Sequence, residues 1–166
     1  MSTEDFKALV NNHSARVLNT AMRILGDTEK AQDVHQEVFL AIWKRWHKYD
    51  GRTNWDAYLY RATVRKSIRF AKRTRTEVLL PQQLEYAASE ERPDASLRTA
   101  EFQQKLAGCL TKLPKRQTEV FVLSRMEGLK AKKIAELLDC SQETVRVHLH
   151  RALKRLAIEL SDYLLE

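Results

Sequence analysis

Along the last third of the chain, apolar residues return every three or four positions in three short bursts separated by stops. Val120, Leu123 and Met126 mark one face of a first helix. Pro114 suits its opening turn, where a missing N–H leaves nothing unpaired, and Gly128 supplies the left-handed exit. Ile134, Ala135, Leu137 and Leu138 belong to a second, shorter helix that begins with Lys130, Lys132 and Lys133. The break Asp139-Cys140-Ser141 is short, and the Ser141 hydroxyl suits the N-cap of a third helix carrying Val145, Leu149, Ala152 and Leu156 on its apolar face. Two helices joined by so tight a turn cross steeply. That is the helix-turn-helix arrangement, whose second helix enters the DNA major groove.

The same periodicity organises the first half. A helix over 3–25 is predicted, with Thr3 as cap, Gly26 as stop, and Phe6, Leu9, Val10, Val17, Ala21 and Leu25 facing inward. A second, from Thr28 to His47, carries the four-residue stripe Val34, Val38, Ile42 and Trp46, broadened by Phe39 and Trp43. Asp33, Gln36 and Glu37 lie on its other side, as a solvated face or a binding surface. The stretch Lys48–Asn54 contains an Asp-Gly turn signal and reads as a loop, with Asn54 capping a third helix from Trp55 to Arg75. Between 77 and 100 the apolar period fades. Pro81 and Pro93 interrupt it, and Glu77, Glu85, Glu90, Glu91 and Asp94 outnumber Arg92 and Arg98. The chain is therefore predicted to be all-α: two small helical domains, 1–76 and 96–166, joined by a flexible acidic linker over 77–95. Only 4 glycines and 3 prolines, with no alternating β-branched run, agree with that class.

Charge then narrows the function. The net charge of +7 favours a polyanionic partner. Much of it is concentrated in 61–75, where Arg61, Arg65, Arg69, Lys72 and Arg73 recur at helical spacing and no acidic residue intervenes. So dense a cationic ridge is most economically neutralised by phosphates. Trp55, Tyr58, Tyr60 and Phe70 lie within or beside it, either as core or as stacking platforms for unpaired bases. On the final helix the side away from the core offers Gln142, Thr144, Arg146, Val147, His150 and Arg151. Arginine reads guanine in a bidentate manner and valine meets a thymine methyl. His148 and His150 point in different directions, with His148 expected at the surface. Cys109 and Cys140 make neither a disulfide framework nor a metal site, and are expected as reduced thiols. No glycine-rich phosphate loop, nucleophile motif or metal-ligand spacing occurs, so no catalytic residue, metal or cofactor is expected. No apolar run is long enough to span a membrane and the N-terminus is unlike a signal peptide. The expectation is a cytoplasmic protein without membrane insertion.

Two stretches, in this order, resemble a known family. AQDVHQEVFLAIWKRW (31–46) with WDAYLYRATVRKSIRFAKR (55–73) is similar to region 2 of bacterial sigma factors. The stretch Leu113–Leu156 resembles their region 4, and the short linker with no further domain resembles the extracytoplasmic-function (ECF) class. The resemblance implies a protein that binds core RNA polymerase, directs it to promoters and assists duplex opening. By the same resemblance, Asp33, Gln36 and Glu37 dock on the β′ clamp helices, and the β flap is a second contact. The loop 49–54 with Arg61, Arg65, Arg69, Lys72 and Arg73 engages the −10 element, where an extruded base costs a few kcal/mol that protein contacts must offset. Thr144, Arg146, Val147, His150 and Arg151 serve the −35 element. An anti-sigma factor often restrains members of this class, and the free protein is expected to be monomeric.

The chain departs from the family pattern at several points. Arg65 stands where members commonly carry Asn and Arg69 where they carry Asp, which implies a different −10 preference. Tyr58-Leu59 replaces a tryptophan-leucine pair, Lys132-Lys133 an acidic pair, and Asp139 a turn glycine. The competing readings are a dimeric helix-turn-helix regulator that acts without polymerase and an RNA-binding or scaffold protein. Neither accounts for both regions together.

Overall fold

A computed structural model describes residues 1–79 and 94–164, apart from the side chains of 75–79, 94–98, 162 and 164. Among the described residues seven α-helices follow one another: α1 Thr3–Leu25, α2 Thr28–Trp43, α3 Trp55–Leu79, α4 Asp94–Leu110, α5 Lys115–Phe121, α6 Ala131–Leu138 and α7 Gln142–Leu164. No strand occurs among the described residues. The 77–95 segment read as a linker lies largely outside them.

Caps set the boundaries. Ser2, rather than Thr3, is the N-cap of α1. Its hydroxyl accepts from the Asp5 N–H while the Asp5 carboxylate accepts from the Ser2 N–H, a reciprocal capping box. Asn54 accepts from the Ala57 N–H at 3.1 Å to start α3, and Ser141 accepts from the Thr144 N–H at 3.0 Å to start α7. α1 ends at Gly26, whose φ of 66° is left-handed. Asp139 takes the same conformation, with φ 53°, at the turn between α6 and α7. An acidic residue there is tolerated because Asp and Asn visit this region more readily than other non-glycine residues.

Three predicted helices differ in their ends; α3, expected to stop at Arg75, runs to Leu79. The one expected to reach His47 stops at Trp43 and re-forms as a 3-10 turn, Trp46–Lys48. Trp46, beyond the break, is buried, but Trp43, the last residue of α2, is 44 % exposed and does not broaden the apolar stripe as expected. The helix expected to run on to Gly128 is regular only to Phe121. Val122–Met126 then forms a widened π-type turn, with the Glu127 N–H bonded to Val122 O at 3.0 Å.

α1, α2 and α3 enclose Leu9, Val17, Ile24, Val34, Val38, Ile42 and Leu59. α5, α6 and α7 enclose Val120, Leu123, Ile134, Leu138 and Val145. The first core is continuous with Leu110, Phe121, Val122, Ala152 and Leu156, so the two helical units also pack on each other. Gln103 of α4 completes the join by donating to the Arg23 carbonyl at 2.9 Å, just ahead of Gly26. A Cβ at Gly26 would come within 2.8 Å of that flexible side chain, which can shift; it is the positive φ that calls for glycine.

Across α1 and α3, Arg16 donates to Asp56 at 2.7 Å. This bond holds the Asp56 carboxyl below its usual range. A depressed folded-state pKa stabilises above the unfolded value near pH 4 and loses that contribution as pH falls through the folded one. Asp56→Asn is therefore expected to flatten the acid limb of the stability–pH curve. Denaturant midpoints measured from about pH 6 down to about pH 3 check this.

Candidate nucleic-acid interface

α3 carries the cationic ridge. Arg65, Arg69, Lys72 and Arg73 are exposed, whereas Arg61 is half-buried and returns its Nε to the Ala57 carbonyl at 3.3 Å. Arg65, Arg69 and Lys72 line one cleft against α5, where Lys115 adds a fourth cation. Arg73 leans over the Phe70 ring, 4.6 Å from its centroid. The structure thus gathers three of the five predicted −10 residues at one place and sets the other two apart.

Two carboxylates at the second unit's edge were not singled out by sequence. Glu119 on α5 is only 1 % exposed, and its Oε1 accepts from Arg65 Nε at 2.8 Å. Arg116 Nη1 approaches its other oxygen at 3.4 Å. Glu127, with its side chain 5 % exposed, accepts from Arg23 of α1 at 2.8 Å. Local pattern gave no sign of either, because each partner lies far away in sequence.

The loop 49–54 leads into an aromatic cluster. Trp46 and Trp55 stack with centroids 5.6 Å apart, and Tyr49 meets Trp55 and Tyr58 edge to face. The Tyr49 hydroxyl donates to that of Tyr58 at 2.9 Å. Burial and this bond push the Tyr49 phenol up to about 12. Trp55, Tyr58 and Phe70 pack on the main core and Tyr60 on the second, which makes them walls of the fold beneath the ridge.

On α2, Asp33, Gln36 and Glu37 are all exposed. Glu37 receives Lys66 Nζ of α3 at 3.1 Å, tying the acidic face to the ridge helix. Leu40, 51 % exposed, and Trp43 continue that side. The spacing 33, 36, 37, 40 signals one helical face, and that arithmetic was available for Leu40 as well.

The last predicted cluster is on α7. Gln142, Arg146, Val147, His150 and Arg151 are exposed along one side, opposite buried Val145, Ala152 and Leu156. Arg146 is only loosely held, 3.5 Å from Glu143 on its own helix. Thr144 is half-buried, its hydroxyl 2.8 Å from that of Ser141. His148 is not the surface residue expected: it is half-buried, and its Nδ1 is buried without a hydrogen-bond partner. Among the described residues no cluster of three or more His, Cys, Asp or Glu side chains is placed to hold a metal ion.

This arrangement agrees with what the chain is similar to. Residues 9–77 match the family model described as Sigma-70 region 2, and 103–156 match Sigma-70, region 4. The RNA polymerase sigma-E factor of Streptomyces avermitilis is 32 % identical over 162 residues, covering 95 % of this chain and 86 % of the relative. The ECF RNA polymerase sigma factor SigW of Bacillus subtilis is 22 % identical, covering 95 % of this chain and 89 % of its own. Among solved structures, CnrH in complex with the cytosolic domain of CnrY superimposes with a TM-score of 0.55 at 25 % identity, covering 97 % of this chain and 90 % of that one. The chain belongs to the sigma-70 family, in its extracytoplasmic-function class. It is a sigma factor that directs RNA polymerase to promoters, built from a region 2 domain and a region 4 helix-turn-helix domain.

Proposed function

We propose that residues 1–76 dock core polymerase and engage the −10 element, that 77–95 link, and that 96–166 engage the −35 element. One observation supports this most. The exposed acidic face of α2, the cationic ridge of α3 and the exposed polar side of α7 occur on one chain, in the order of the two matched regions. Asp33, Gln36 and Glu37 supply the polymerase contact. Arg61, Arg65, Arg69, Lys72 and Arg73 grip phosphates around the −10 element. Thr144 holds a phosphate at the −35 element, while Arg146, Val147, His150 and Arg151 meet base edges. Phosphate contacts position the protein and base contacts specify the sequence. The site of action is the cytoplasm, where polymerase is found, and no described helix is long and apolar enough to cross a membrane. An anti-sigma partner belongs to this reading, since the sigma factor RpoE from Bartonella quintana, a fold relative, is described bound to one.

Reconstitution with core polymerase and run-off transcription from a library of upstream sequences tests the reading. Transcripts that require the protein and share two upstream elements are expected. Duplex binding without polymerase binding would instead favour a stand-alone regulator.

Two substitutions refine the assignment. Arg146→Ala is expected to cost about 1–3 kcal/mol of discrimination at one −35 base pair, read by competition between single-base variants. A loss equal across all sequences would make Arg146 a phosphate contact. Arg65→Asn is expected to move the −10 preference toward that of family members with Asn there, and promoter profiling that shows no change would count against it.

A further inference from the structure

We propose that Lys130 and Lys132, at the start of α6, hold the DNA backbone beside the −35 element. The chain then grips that element with two helices, α7 reading bases and α6 fastening phosphates. The inference rests on the reading that α7 meets the −35 element, and deepens it by assigning a positioning role to residues outside that helix.

α6 is short and two-sided. Ile134, Ala135, Leu137 and Leu138 are buried, which leaves Lys132, Lys133 and Glu136 on the outer face and Lys130 at the N-cap. All four charged residues are exposed, but their surroundings differ. Lys133 lies 3.9 Å from Glu136 and, behind the Arg16 hydrogen bond, adds to the lowering of the Asp56 carboxyl. Lys130 and Lys132 form no ion pair among the described residues. No acidic residue stands in the first turn to compensate them. Cations at the positive end of a helix dipole are mildly destabilising, so the stability of the fold does not account for two of them there. The acidic pair that family members commonly carry at 132–133 is absent here, which makes the lysines a property of this chain rather than of the fold.

The turn fixes where these lysines stand relative to α7. The Cys140 N–H donates to the Ala135 carbonyl at 3.1 Å and Arg116 Nη1 to the Leu138 carbonyl at 3.3 Å, while Asp139 sets the angle in its left-handed conformation. The two helices also share Ile134, Leu138 and Val145 in one core, so they settle on DNA as one rigid unit. In a helix-turn-helix the second helix enters the major groove while the first crosses the backbone. The 8 residues of α6 span about 12 Å, close to the width of the groove at about 12 Å. With the turn over the groove, the far end of α6 stands above the flanking strand, where a lysine reaches a phosphate. Glu136 neutralises Lys133 and leaves Lys130 and Lys132 to make that contact. It sets register and orientation without reading sequence.

The test uses the full chain with core polymerase and a promoter obtained from the run-off library. Affinity for the labelled duplex is measured from about 50 to about 200 mM salt, on the selected sequence and on each single-base change in its −35 element. Lys130→Gln with Lys132→Gln is expected to keep polymerase binding and the denaturation midpoint, and to lower the slope of log affinity against log salt by about 2. A fourfold rise in salt then costs the variant about tenfold less affinity than it costs the wild type. The weakening is expected to be uniform over all −35 sequences, unlike that of Arg146→Ala. Lys130→Arg with Lys132→Arg is expected to restore the wild-type slope, and Lys132→Gln alone, lowering it by about 1, serves if the double variant folds poorly. A wild-type slope in the glutamine variants, on a promoter whose −35 changes weaken the wild type, would overturn the grip and leave the reading of α7 standing. A loss confined to particular base pairs, or weakened polymerase binding with an unchanged slope, would overturn it as well. A wild type indifferent to every −35 change would overturn both.

Discussion

A chain carrying Asp33→Arg and Glu37→Arg is expected to keep its fold but fail to co-elute with core polymerase, with affinity reduced at least about 100-fold. Both side chains are exposed on one face of α2, while the residues beneath them, Val34 and Val38, are fully buried. The substitutions therefore alter surface charge without entering the core. Glu37, itself exposed, loses its pair with the half-buried Lys66, whose contribution to stability is small. At the interface the effect is larger, because like charges brought together during docking cost several kcal/mol. The helical circular dichroism and denaturation midpoint should stay near those of the wild type. Co-elution at wild-type affinity would remove this face from the docking surface.

The second large effect concerns stability. Trp46→Ala is expected to destabilise the region 2 domain by about 3–5 kcal/mol, measured by chemical denaturation. Trp46 is 6 % exposed and stacks on Trp55, while Phe6 of α1 meets it edge-on at 5.1 Å. Its Nε1 also donates to the Ser2 carbonyl at 2.9 Å, joining the chain's start to the loop that leads into the ridge helix. Trp46→Phe keeps part of the ring contact but loses that bond and some of the indole's packing, so a smaller cost of about 1–3 kcal/mol is expected. If both substitutions cost the same, packing is not what the residue supplies.

How far sequence reasoning reached follows from what kind of information each feature needs. The helices and their stops were legible because spacing, caps and glycine exits are local. Asn54, Ser141 and Gly26 act as their identities suggest. The N-cap of α1 fell one residue early because Ser2 and Thr3 both carry hydroxyls; only the reciprocal bond with Asp5, three residues on, separates them. Trp43 was misplaced because it lies at the last turn of α2, where an apolar identity does not by itself decide which side of the helix is covered. The widened turn after Phe121 is a backbone event with no residue signature. For the candidate surfaces, exposure of the acidic face, the ridge and most of the α7 side followed from facing away from apolar stripes. Glu119 and Glu127 did not, since their partners Arg65 and Arg23 lie 54 and 104 residues away. A pairing at that separation is fixed by tertiary packing, and no periodicity encodes it.

The placement of the indole rings makes the molecule its own spectroscopic reporter. All 3 tryptophans, Trp43, Trp46 and Trp55, fall in one short stretch of region 2, and the region 4 domain has none. Emission excited at tryptophan wavelengths therefore tracks one domain alone, while far-ultraviolet dichroism sums both. In a denaturant titration, divergence of the two signals would mean that the domains unfold separately, and coincidence that the shared core makes them a single cooperative unit. Of the three rings, only Trp43 is substantially exposed, next to the acidic face. A blue shift confined to its share of the emission would register a partner settling on that side of α2, with no label attached.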